Sequence, residues 1–194
     1  MYILYMLDGR LYFSNHSSKM LEELGNKKIM EVVVFKKPLM GILFDIMEKI
    51  KNKEEVENKK VFHVGMILTL DDGKKIILEK NEEITINYMY NLPDDTEYRN
   101  IEYHGQMGLA EMLYLTERRI GKQHFYHYDL SHENCQDFTF QCLKSLGITD
   151  QNIFKWFMHQ NMKELVNKYS PFFKVTQGIT NAKRTINKFF GTGI

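Results

Sequence analysis

Two cysteines, seven histidines and 25 acidic residues are the groups with which this 194-residue chain could do covalent or acid–base chemistry. Of the cysteines, Cys135 has the neighbours that a nucleophile requires. Asn134 is a strong helix N-cap, and Asp137 three residues later can close a capping box, which places Cys135 in the first turn of a helix. The amide hydrogens and the dipole of a helix start favour a thiolate over a thiol, and the same amides can hold an oxyanion. The ordinary alternative for a lone cysteine is a small apolar core residue. Cys142 is read that way, two turns deeper on the apolar face formed by Cys135, Phe138, Cys142, Leu143 and Leu146.

A thiol nucleophile needs a base, and His63 is favoured by position. It opens the almost wholly apolar run Val64-Gly65-Met66-Ile67-Leu68, so sheet backbone would hold its imidazole. The third group follows from the hairpin signal Asp71-Asp72-Gly73-Lys74. With the turn centred on Asp71, His63 faces Glu79 across two strands, where a carboxylate would orient the ring and stabilise its charged form. A slip of one residue would put Glu79 on the other face. Asn87 and Asp129 are the next orienting residues in line. The bland alternatives are a polar residue at a strand edge for His63 and a solvent-facing carboxylate in a lysine-rich hairpin for Glu79.

Other clusters carry less. His124, His127, His132 and Cys135 lie close in sequence, but their spacing matches no compact ligand pair on one helix, so neither a metal site nor a cofactor is expected. Phe154, Trp156 and Phe157 read as helix packing. Beyond Glu164 the chain has no acidic residue, yet Lys168, Lys174, Lys183, Arg184 and Lys188 follow; this basic tail suits a solvated end or a weak contact with an anionic surface or a protein.

These groups need elements to position them. The pattern predicts a hairpin from Tyr2 to Phe13, a helix from Ser17 to Gly25 and a strand from Met30 to Lys36. Leu39, Ile42, Leu43, Ile46, Met47 and Ile50 recur at helical spacing, and the charged run 51–60 reads as a linker. Strands follow over Val61–Leu70 and Lys75–Ile84, with Ile84–Tyr90 extending the sheet. A helix runs from Leu109 to Ile120, and Phe125–Leu130 reads as extended. The helix at Asn134 is stopped by Gly147, and another runs from Asp150 to Ser170-Pro171.

The sum is an α+β chain of one compact domain with additions: 1–60 as an N-terminal addition, 61–150 as the catalytic core, and 151–194 as a helical extension ending in the basic tail. With 26 basic against 25 acidic residues, no global charge argues for a nucleic-acid binder. Seven residues along one helix would separate the two cysteines by roughly 10 Å, beyond disulfide reach. Asp8 and Arg10 interrupt the apolar N-terminus, so neither a secretory signal nor a membrane span is expected, and a reducing cytoplasmic setting, in a host cell or a virion, fits best.

The stretches His63-Val64-Gly65-Met66-Ile67 and Tyr128-Asp129-Leu130-Ser131-His132-Glu133-Asn134-Cys135-Gln136-Asp137-Phe138 resemble the circularly permuted papain-like hydrolases of the NlpC type. That group includes lecithin:retinol acyltransferase-like proteins and related poxvirus and bacterial hydrolases. Asn134, Cys135 and Phe138 match the acyltransferase branch, whereas Gln136-Asp137 depart from its Glu-His. Glu79 stands where that branch carries a second histidine, as in members with a His, Glu, Cys set. The resemblance covers about residues 61–147. It implies a central antiparallel sheet packed on the helix that bears the nucleophile, and a thiol hydrolase acting on an amide, ester or thioester of a protein or acylated substrate. Two other readings stand beside it: a binding or virion-structural module without turnover, and an adenovirus-type cysteine protease. The latter family has a Trp after its His and a Gly after its Cys, where this chain has Val64 and Gln136.

Overall fold

Residues 13–38, 62–129 and 133–158 are described by a computed structural model. The expected Tyr2–Phe13 hairpin, except for its last residue, the helix after Pro38, the linker at 51–60 and the basic tail lie outside the described residues. The helix expected from Asp150 to Ser170-Pro171 ends earlier, at Phe157, where the Met158 amide closes the last turn on the Phe154 carbonyl; residues 159–170 lie outside the described residues.

The β-branched run Val32-Val33-Val34 favours extended backbone, and it lies inside β1 (Ile29–Pro38). β1 pairs antiparallel with β2 (Phe62–Leu70), which pairs with β3 (Lys75–Lys80) and through it β4 (Ile84–Tyr88). A fifth strand, β5 (Glu97–Ile101), adds to the other edge of β1. The sheet therefore has the order β4-β3-β2-β1-β5, antiparallel throughout. β1, read as part of an N-terminal addition, lies between β2 and β5.

Among the described residues are five helices: α1 (Asn15–Leu24), α2 (Leu109–Ile120), α3 (Lys122–Tyr126), α4 (Cys135–Ser145) and α5 (Gln151–Phe157). The chain is thus mixed α+β, with α4 packed against β2 and β3, α1 against β4, and α2 against α4. One sheet face supplies Val32, Val34, Val64, Met66, Leu68, Ile76, Leu78 and Ile86 to a core shared with Leu24, Leu113, Phe125, Phe138 and Leu143 of the helices. Each such side chain, once fully buried, stabilises the fold by about 1.5–3 kcal/mol, so this layer dominates. The opposite face carries a smaller cluster, Phe35, Ile67 and Ile77, against which Val33 and Leu92 pack.

Two further expectations change. Phe125–Leu130, expected to be extended, begins in a helix: Gly121, at φ 83°, ends α2 and restarts the chain as α3. Phe125 and Tyr126 are then both buried, the former beside Phe138 with ring centroids 5.8 Å apart, the latter donating from its hydroxyl to Glu117 at 2.8 Å. The continuous strand expected over Lys75–Ile84 is also broken, with β3 ending at Lys80 and β4 starting at Ile84.

Candidate active site

The site is assembled by the end of a strand ladder. The β2–β3 hairpin closes through a three-residue loop: Gly73 donates to the Leu70 carbonyl at 2.9 Å and stands at φ 80°, and Leu70 donates to Lys74 at 2.8 Å. A type I turn followed by a left-handed glycine has this form. It centres the turn on Asp72 instead of Asp71, so that Gly65, and not His63, lies directly opposite Glu79. The shift amounts to two residues, the period of a strand, so Glu79 stays on the face of His63 and meets it along the diagonal.

Nε2 of His63 lies 3.2 Å from Oε1 of Glu79, with both side chains about 5% exposed. The contact is close but out of line for a linear hydrogen bond, and charge and proximity hold it. Lys37 Nζ forms an ion pair with the same Oε1 at 2.5 Å, and Oε2 accepts the Tyr90 hydroxyl at 3.2 Å. Lys37 sits directly opposite His63 on β1. Gly65 makes room for this arrangement, since a Cβ there would lie 2.9 Å from Glu79 Cγ.

Cys135 opens α4, and Asn134 caps it as expected: Oδ1 accepts the amides of Gln136 at 2.8 Å and Asp137 at 3.3 Å, while Asp137 reaches back to the Asn134 amide at 3.5 Å. The cap thereby occupies the second and third amides of the helix. The amide of Cys135 itself is directed at its thiol, joined by the amide of Val64. Paired residues of β2 and β3 end at Gly65 and Glu79, leaving the start of β2 without a β3 partner. Val64 donates there to Sγ, which brings the thiol to the rim of the strand. From that position Sγ hydrogen-bonds His63, although α4 packs on the other face of the sheet.

The electrostatics follow from these contacts. Burial opposes a thiolate at Cys135, but the His63 charge, the hydrogen bond from the ring and the Val64 and Cys135 amides outweigh it and lower the pKa. Burial likewise opposes an imidazolium, yet the charge of Cys135, its hydrogen bond and Glu79 raise His63 to about 9. Burial would raise Glu79; His63 and then Lys37 bring it down to about 2. Cys142 differs at every point. Buried beneath Thr116 Oγ1, 3.9 Å away, it is pushed up to about 12 and stays a neutral core thiol.

All three site residues read from the sequence, Cys135, His63 and Glu79, are thus brought together. Lys37 and Tyr90 were missed, as was the role of Gly65. Lys37 could not be placed because no hairpin signal in the sequence relates β1 to β2, and Tyr90 lies beyond the end of β4. His124 and His127 both direct Nδ1 to Glu133, the latter at 2.5 Å. Among the described residues, no group of three or more His, Cys, Asp or Glu side chains is placed to hold a metal ion, and no helix is long and apolar enough to cross a membrane. No family model, no curated protein and no solved structure matches the chain.

Proposed function

We propose that the chain is a thiol hydrolase built on a permuted papain-like core, cleaving an amide, ester or thioester through an acyl-enzyme on Cys135. The observation that carries this reading is a thiol at a helix start, hydrogen-bonded to an imidazole whose other side faces a buried carboxylate. His63 already holds the proton of Cys135 as an imidazolium, and the thiolate Sγ attacks the carbonyl carbon. The amide of Cys135 supports the oxyanion, the bond to the amine, alcohol or thiol breaks, and His63 returns the proton to the leaving group. Water then attacks the thioester, giving its proton to His63; the acid departs and the Cys135 thiolate is restored beside the imidazolium. With Nε2 directed at Glu79, Nδ1 is the ring nitrogen left for this shuttle.

Peptide or isopeptide substrates are preferred over lipids, because Gln136-Asp137 depart from the lipid-acting branch. A thiolate of this kind needs a reducing compartment, and the cytoplasm supplies one. Labelling with a thiol-reactive probe tests the reading. Cys135→Ala should abolish labelling near neutral pH and Cys142→Ala should leave it intact; equal labelling of the two variants would sink the assignment. A second reading has its own support in burial: Cys135 is only 6% exposed. A binding or virion-structural module would keep that thiol shut, and the wild-type protein would then resist the probe at every pH where it is folded.

A further inference from the structure

Glu79 has more cation than a catalytic carboxylate requires. Its Oε1 faces two positive groups, His63 Nε2 at 3.2 Å and Lys37 Nζ at 2.5 Å. Lys37 is well fixed: it lies 3.4 Å from the Tyr90 hydroxyl, and its ammonium stands over the rings of Phe35 and Tyr90 at 5.6 and 5.9 Å. Among the described residues, the titratable groups around His63 are Cys135 on α4, Glu79 on β3, Lys37 on β1 and, through Glu79, Tyr90 beyond β4; Tyr128, beyond α3, faces the Cys135 charge and is raised by burial.

A buried carboxylate with one cationic partner would bind that partner's charged form tightly. His63, however, must surrender its proton to the leaving group in each catalytic cycle. We propose that Lys37 is a positioning residue of the site: by sharing Oε1 with His63 it fixes the Glu79 carboxylate and weakens its hold on the imidazolium proton. The proposal rests on the thiol-hydrolase reading and deepens it, because it states what sets the ease of proton release. Tyr90, on Oε2, keeps the carboxylate from turning its second oxygen to His63.

The test is the pH profile of Cys135 alkylation by iodoacetamide in the full chain. The wild-type rate should rise as the thiolate forms, below the range of an ordinary thiol, and show a second inflection near pH 9, where His63 loses its proton. Lys37→Gln keeps a polar group beside Oε1 without the charge, and its upper inflection should move up by about one pH unit. Lys37→Arg keeps the charge and should leave the inflection within a few tenths of the wild-type position. An unmoved upper inflection in Lys37→Gln, with the lower one intact, overturns the role of Lys37 and leaves the dyad standing. A single ordinary thiol titration in the wild type removes the dyad, and Lys37's role with it. Should Lys37→Gln not fold, the wild-type protein still decides. The NMR signal of the Lys37 ammonium nitrogen must shift through the His63 step near pH 9, since both cations share one oxygen, and a signal that ignores that step overturns the proposal.

Discussion

Gly65 and Glu79 face each other across β2 and β3, and their neighbours fill the space of the missing side chain: a Cβ at position 65 would lie 2.5 Å from Phe35 Cζ and 2.9 Å from Glu79 Cγ. Gly65→Ala must therefore move Phe35, the centre of the smaller core cluster, or Glu79, or both. Overpacking of this kind costs about 1–3 kcal/mol. Urea unfolding should show that loss, and alkylation of Cys135 should change with it. Unaltered stability together with unaltered reactivity would show that Glu79 does not depend on the glycine.

Asn134 connects the stability of α4 to the reactivity of Cys135. Its Oδ1 holds the amides of Gln136 and Asp137, and Asp137 returns the bond, so Asn134→Ala removes a complete N-cap. A cost of about 1 kcal/mol is expected. Because the capped turn also aims the Cys135 amide at Sγ, the variant's thiolate should form at higher pH than that of the wild type. A thiol titration unchanged by the substitution would separate helix capping from thiolate formation.

How far the sequence carried the structure depended on whether an element announces its own neighbours. The Cys135 helix start was legible because a capping box is local. Glu79 was legible because a hairpin turn fixes a register, and its two-residue error cost nothing since strand faces repeat every second residue. β5 was not legible: of Glu97-Tyr98-Arg99-Asn100-Ile101 only Ile101 is buried, so no apolar alternation marks it. What places it is β1, through pairs such as Tyr98 with Phe35 and the contact of Lys36 Nζ with Glu97 at 3.1 Å. Lys37 escaped for the same reason, because its partners come from β2, β3 and the segment beyond β4.

Acid should weaken the fold through Glu79. With its pKa held at about 2, its contribution is complete above the ordinary value of 4.5 and is lost as pH falls toward 2, an effect of up to about 3 kcal/mol. Alkali should not act symmetrically. The contribution of His63 is complete below 6.5 and falls as pH rises to about 9, but that of the lowered Cys135 thiol grows as pH rises toward its ordinary value of 9.0. The two slopes oppose one another. Urea unfolding across pH should give an acid limb that Glu79→Gln flattens, and a step between 6.5 and 9 smaller than His63 alone would give; a wild-type acid limb equal to that of Glu79→Gln would contradict the burial and pairing of this carboxylate.

Glu79→Gln also separates orientation from charge in the proposed reaction. The amide has nearly the shape of the carboxylate and can still meet His63 Nε2 and the Tyr90 hydroxyl, so the ring should remain in place. What it lacks is the negative charge that supports the imidazolium, while Cys135, the larger charge facing His63, remains. The thiolate should therefore survive in part, and alkylation should slow less than turnover, which needs a protonated His63 ready for the leaving group. His63→Ala removes both functions and should cost much more in each assay. Equal losses of alkylation and turnover in Glu79→Gln would mean that the carboxylate acts only by placing the ring, and an unchanged turnover would remove Glu79 from the site while leaving Cys135 and His63 as a dyad.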